Sequence, residues 1–225
     1  MKFHYAWLDT CAEAPGTLIV LDVLRAFSTA AYAFGAGAQS VSLVGTVDEA
    51  LSLRQEHPGW LVLGEVGGLP PQGFDFGNSP TQIREQALSG RQLIQRTGAG
   101  TQAVVRSVRA EHLFAASFVV ARATLRAVQR LAPQQITFVL SGGEKNEEDL
   151  ACAQYLQALF QDARPDPAPF IRRVYACEDA RVHLDPLRPE FPESDLDYCT
   201  RIDAFDFAMP VVREDGRLVM RPSWA

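Results

Sequence analysis

The stretch Thr17-Leu-Ile-Val-Leu-Asp22 runs four aliphatic residues into one carboxylate, and an alanine-rich segment, residues 23–34, follows it and stops at Gly35. A short apolar run without polar alternation reads as a strand buried on both faces, and a glycine after a periodic segment is a common helix stop. The unit is therefore strand, carboxylate, helix. Similar apolar runs occupy residues 40–44, 60–63, 92–94, 113–116 and 136–140, with helical patterns at 48–57, 119–131 and 147–160. Alternation of this kind predicts an α/β fold, three layers deep (α/β/α), around a mostly parallel or mixed sheet.

That pattern ends near residue 162. Beyond it lie a stiff joint, Arg164-Pro-Asp-Pro-Ala-Pro169, a helical segment at 170–182, a second proline-rich stretch at 186–192, a short helix at 195–204, and a hairpin turning at Glu214-Asp-Gly216. The expectation is one core, residues 1–162, carrying the site, with residues 163–225 as a C-terminal helical and hairpin extension packed on it.

Composition narrows the function. The chain has 225 residues, 47% hydrophobic and 21% charged, which is enough for a full core. Its 21 basic against 27 acidic residues give a net charge of -6, without the cationic surface that phosphate-backbone binding needs, so no nucleic-acid partner is expected. No leader-like segment and no apolar run of about 20 residues is present, which predicts a cytoplasmic protein with no membrane partner. The four cysteines form no C-x-x-C, and no two of the four histidines stand four apart, so neither zinc nor disulfide chemistry is indicated.

In an open parallel sheet, ligands bind beyond the carboxyl ends of the strands. Asp22 stands at such an end with Arg25 three residues on, an arrangement equally suited to a shared crevice and to an ordinary cap with an ion pair. Gly64-Glu-Val-Gly-Gly68 places Glu65 at another strand end, where a carboxylate would suit a hard cation such as Mg²⁺. The long loop Leu69-Pro-Pro-Gln-Gly-Phe-Asp-Phe-Gly-Asn-Ser-Pro80 carries Asp75, and its Asn78-Ser-Pro80 end is accounted for as a helix cap with proline in the first turn. Thr97-Gly-Ala-Gly-Thr101 presents Gly98, Gly100 and Thr101 before a helix, a geometry for an oxyanion or simply a tight connection; it lacks the lysine of a P-loop. Ser117 follows the 113–116 run, and Ser141-Gly-Gly-Glu-Lys-Asn-Glu-Glu-Asp149 brings Glu148 and Asp149 as further cation ligands or as a solvated helix start.

Taken in order, Asp22-Val-Leu-Arg-Ala26, Gly64-Glu-x-Gly-Gly68, Gly73-Phe-Asp-Phe-Gly-Asn-Ser-Pro80, the 97–101 loop, Ser117-Phe118, and Ser141-Gly142 with Glu148-Asp149 resemble the 2-phosphosulfolactate phosphatase family over residues 17–156. The resemblance implies Mg²⁺-dependent hydrolysis of a phosphate monoester on a small sulfonated hydroxy acid, a step in coenzyme M biosynthesis. It implies Asp22, Glu65, Asp149 and Glu148 as metal ligands, Arg25 with the 97–101 loop and Ser117 for the anionic substrate, and Asp22 or Asp75 as general base to an attacking water, with an Asp22 phosphoenzyme as the other route. Three positions depart from the family pattern: Val66 for arginine, Gly98-Ala99 for Thr-Asn, and Val120 for asparagine. Fewer donors at the strand ends imply a less anionic phosphorylated acid, or else a catalytically silent relative that binds an anionic metabolite. A homodimer is compatible with the proline-rich tail.

Overall fold

The computed structural model describes residues 1–142, 146–161 and 164–224. Residues 143–145 of the acidic loop and the expected boundary at 162/163 lie outside them. The strands are β1 (Lys2–Trp7), β2 (Gly16–Leu21), β3 (Ser40–Leu43), β4 (Leu61–Gly64), β5 (Gln92–Arg96), β6 (Ala110–Ala116), β7 (Gln135–Leu140), β8 (Phe207–Glu214), β9 (Arg217–Met220) and β10 (Ser223–Trp224). The helices are α1 (Ala26–Gly35), α2 (Val47–Glu56), α3 (Pro80–Ile83), α4 (Gly100–Arg106), α5 (Ala121–Arg130), α6 (Glu147–Gln161), α7 (Ala168–Ala176), α8 (Ala180–His183) and α9 (Ser194–Cys199).

Strand order is β1-β7-β2-β6-β8-β9-β3-β5-β4, with β10 paired to β8. The β1-β7-β2-β6 and β3-β5-β4 groups are each parallel, and the antiparallel hairpin β8-β9 stands between them. The sheet is thus mixed and mostly parallel, with helices against it. The C-terminal segment departs from the expectation of an extension laid on a finished core, because its hairpin joins the two halves of the sheet. Asp215 and Gly216 both have positive φ (50° and 78°), the backbone that a two-residue hairpin turn needs to match strand twist.

Local chemistry explains the rest. Residues 18–21 of β2 are fully buried, as its unbroken apolar run requires. Alanines at 26, 30, 31 and 33 let α1 lie close against its neighbours, and every residue from Ala26 to Phe34 is buried. Thr46 and Glu49 form a reciprocal capping box on α2. The helix expected at 170–182 is broken into α7 and α8, and β1 was not foreseen. Among the described residues no helix is long and apolar enough to cross a membrane.

Candidate active site

Register places the chemistry. Leu21 at the end of β2 pairs with Leu140 of β7 and Ala116 of β6, so Asp22, Ser141 and Ser117 leave the sheet side by side. Across the hairpin, Gly64 of β4 pairs with Arg96 of β5, which brings Glu65 beside the 97–101 loop. Gly64 has φ +136° and a Cβ there would stand 1.8 Å from the Arg96 carbonyl oxygen, so only glycine lets β4 end this close to β5.

A cleft of about 370 Å³ opens over these ends, and Asp22, Arg25, Glu65, Asn78, Ala99 and Phe191 are among its walls. A slightly larger hollow of about 410 Å³ between β6 and β8 is lined by residues such as Leu113, Pro210 and Val211 and gathers none of the strand-end loops. The cleft is where reactive groups converge.

Asp22 is 6% exposed; its Oδ1 accepts from the Ala26 N–H at 2.8 Å, and the Ser141 hydroxyl is a second polar neighbour. Its Oδ2 faces Gly100, whose absent Cβ would come within 2.7 Å of it. Burial, and then the charge of Asp149, push the Asp22 carboxyl up to about 7, with Glu65 adding to the effect. Glu65 is half-buried and held by backbone at both oxygens: Gly68 N–H donates to Oε2 at 2.7 Å and Gly98 N–H to Oε1. Asp22 and Glu65 therefore approach one cleft from opposite halves of the sheet.

Asp149 behaves differently. Its Oδ1 accepts from Val23 N–H at 2.8 Å, and its Oδ2 accepts from the Ser141 N–H, the Ser141 hydroxyl and the Asn146 amide at 3.0–3.2 Å. Burial raises its carboxyl to about 6 despite these donors. The carboxylate is a tie between the ends of β2 and β7 rather than an open ligand. Glu148 is buried and raised to about 9, first by burial and then by Asp149; it does not line the cleft but lies behind it, against Cys177 and near the wall residue Asp179.

Arg25, 4% exposed, gives both Nη1 hydrogens away, to Asp195 Oδ2 at 2.8 Å and the Glu190 carbonyl at 3.2 Å, and lies 4.5 Å over the Phe191 ring. Asp195 is fully buried and also accepts from the Ser79 hydroxyl and Thr81 N–H, so α9 ties the arginine to the start of α3. Phe191 closes onto Gly68, where any Cβ would meet its ring at 2.2 Å. The second proline-rich stretch thus supplies a wall of the cleft.

Other expected site residues are placed elsewhere. Asp75 lies outside the cleft: its Oδ2 accepts from Val62 N–H at 2.8 Å and it pairs with Arg54, which fixes the 70–77 loop against α2 and β4. Thr101 and Thr97 bond each other reciprocally, hydroxyl to backbone, so the Thr101 hydroxyl is occupied within its own loop. Gly98 N–H is occupied by Glu65, leaving Ala99 and Gly100 as the part of the loop nearest the cleft and Asp22. Ser117 is fully buried beside Asp22, its hydroxyl without a hydrogen-bond partner among the described residues. Of the three departures, Ala99 lines the cleft, Val66 is half exposed outside it, and Val120 is fully buried in the core.

Sequence reasoning missed Asp195, Phe191 and Asn78. The proline-rich stretch at 186–192 was a visible signal for the first two, since such segments often cover a site, but partnership across more than 100 residues is not written in local pattern.

Asp22 and Glu65 suit a hard cation. Among the described residues no three His, Cys, Asp or Glu side chains form a metal-binding group. Mg²⁺ does not require one, because it usually keeps several waters and takes one or two carboxylates together with phosphate oxygens.

A family model described as 2-phosphosulpholactate phosphatase matches residues 6–214. A protein of Bacillus subtilis (strain 168) named "Probable 2-phosphosulfolactate phosphatase" is 34% identical over 202 residues, covering 89% of this chain and 88% of its own. One of the same name from Carboxydothermus hydrogenoformans is 30% identical over 226 residues, covering 92% and 90%. A third, from Deinococcus radiodurans, is 37% identical over 152 residues, covering 64% and 63%. On the family match and these relatives, the chain belongs to the 2-phosphosulfolactate phosphatase family of phosphoric monoester hydrolases.

Proposed function

We propose that this chain hydrolyses the phosphate monoester of a small hydroxy acid, 2-phosphosulfolactate or a less anionic relative, with Mg²⁺ held by Asp22 and Glu65. The observation that carries this reading is the convergence of those two carboxylates, from opposite halves of the sheet, on one cleft walled by Arg25. When bound, Mg²⁺ supplies charge neutralisation at the phosphoryl oxygens and acidifies a bound water.

The chain's own groups do the rest. Arg25, its Nη1 anchored by Asp195, keeps its Nε and Nη2 hydrogens for the anion, and the anchor fixes the guanidinium plane. The Asp22 Oδ2, which faces Gly100, takes one proton from the attacking water as the water oxygen bonds to phosphorus. The ester P–O bond then breaks, and the leaving alcohol oxygen takes a proton from solvent. Phe191 covers the cleft from the C-terminal side and limits water around the reacting group. Loss of polar side chains at Ala99 favours a substrate with less negative charge than the family norm.

The test is phosphate release from 2-phosphosulfolactate and from para-nitrophenyl phosphate, with and without Mg²⁺. Mg²⁺-dependent release from the hydroxy acid ester is expected. Release from neither compound, or release indifferent to Mg²⁺ and chelator, would contradict the proposal.

A further inference from the structure

Asn78 stands in the wall of the cleft at 6% exposure, and its Oδ1 has no hydrogen-bond partner among the described residues. A buried acceptor without a donor destabilises a fold, so a retained one needs an explanation. Helix capping does not provide it. Ser79, the next residue, is the N-cap of α3: its hydroxyl accepts from Gln82 N–H and donates to Asp195, while Pro80 fills the first turn. The Asn-Ser-Pro signature is thus two-thirds structural, and the amide of Asn78 is left over.

Four other buried polar side-chain atoms among the described residues also lack a partner, on Thr29, Gln95, Ser117 and Thr124, but none of these residues lines the cleft. What would complete Oδ1 is a hydrogen-bond donor or a hard cation, and the cation already has Asp22 and Glu65. A phosphate monoester of an acid, ionised near neutrality, offers acceptors only. With the free hydrogens of Arg25 assigned to the anion, the donor that the reaction proposed above brings to this cleft is a water. We propose that Asn78 Oδ1 accepts a hydrogen bond from the attacking water and orients it beside Asp22. This rests on the hydrolase reading of the cleft and assigns a role to a residue outside the carboxylate set. No bond to Asn78 forms or breaks.

The experiment compares Asn78→Ala and Asn78→Leu with the parent chain and with Asp22→Asn, measuring kcat, KM and thermal midpoint with 2-phosphosulfolactate and Mg²⁺. Orientation of the nucleophile predicts a fall in kcat of about 100-fold, KM within about threefold of the parent, and an unchanged or higher melting temperature in at least one variant. Leucine keeps the volume and removes the acceptor, so a folding defect in the alanine variant alone leaves the test intact. An unchanged kcat, a loss that appears only as raised KM, or a loss that tracks lowered melting temperature in both variants would overturn the inference. If the parent turns over and Asp22→Asn does not while both Asn78 variants match the parent, the inference falls and the hydrolase reading stands. No turnover by the parent would overturn both.

Discussion

The loop after β7 and the loops after β2 and β4 leave the same sheet and carry comparable carboxylates, yet they bear them in opposite states. Among the described residues Asp149, after β7, accepts from four donors on its two oxygens, whereas Asp22, after β2, accepts from the Ala26 N–H with the Ser141 hydroxyl as a second neighbour, and Glu65, after β4, accepts from two backbone N–H groups with an open cleft before it. Burial alone does not separate them, since Asp149 and Asp22 are 1% and 6% exposed. Donor count does. A carboxylate saturated by its own fold is an architectural tie; one left with unfilled lone pairs at a cleft is available to a ligand.

The sharpest way to break that distinction is to remove the tie. Asp149→Ala leaves the Val23 and Ser141 N–H groups, the Ser141 hydroxyl and the Asn146 amide without their acceptor. At about 1–3 kcal/mol for each buried group left unpaired, the loss should reach about 3 kcal/mol or more even after partial rehydration. Denaturant unfolding measures it, and a shift below about 1 kcal/mol would mean that Asp149 is not the tie described.

Comparable in size is the buried ion pair of Arg25 and Asp195, which links the β2 loop to α9. Asp195→Ala strands a 4% exposed guanidinium and should cost about 3–5 kcal/mol in a fully rigid site, less if water enters beside Phe191. Activity should fall with it, chiefly through KM, because Arg25 loses its orientation. Retained KM and stability would show that the pair contributes to neither.

The pH dependence of stability sharpens the comparison in a different way. Asp22, Asp149 and Glu148 are raised to about 7, 6 and 9, chiefly by burial, with neighbouring carboxylates adding to the rise at Asp22 and Glu148. A folded-state acid with a raised pKa holds its proton where the unfolded chain has released it, so stability is greatest near pH 4–5 and declines as pH rises through these values. Without divalent metal the melting temperature should therefore drop between pH 5 and pH 9. Added Mg²⁺ should restore more of it at pH 8 than at pH 5, because Asp22 must lose its proton to hold the cation. A Mg²⁺ effect equal at both pH values would contradict this.

The smallest effect is expected outside the cleft. Asp75→Asn weakens a half-exposed pair with Arg54 and should change stability by about 1 kcal/mol or less, leaving turnover at the parent level. A large loss of activity would place Asp75 back among the reacting groups.

Much of this was legible in the chain. The apolar runs ending in Asp22 and Gly64 mark strand ends, so Asp22, Arg25 and Glu65 were found because α/β geometry gathers ligands there. The Asp215-Gly216 turn announced its hairpin through backbone chemistry. The hairpin's position between β6 and β3 was not legible, since strand order depends on pairings across more than 90 residues that leave no local mark. The edge strand β1 alternates exposed or half-exposed residues instead of forming an apolar run, and so escaped a search for runs. At the site, Asp149 and Asp22 look alike in sequence because donor count is a tertiary property. Asn78 was hidden differently: a sufficient local explanation for Asn-Ser-Pro concealed that only Ser79 and Pro80 satisfy it.

The measurement that bears most directly on the account is the rate of phosphate release from 2-phosphosulfolactate at saturating Mg²⁺ by the parent chain and by Asp22→Asn, with unfolding followed on the same preparations. The account predicts a loss of about 1,000-fold or more in Asp22→Asn, with stability at pH 8 in the absence of divalent metal equal to or above that of the parent, since a crowded buried charge has been removed. Turnover within tenfold of the parent, or a loss explained by unfolding, would show that Asp22 is a structural carboxylate like Asp149.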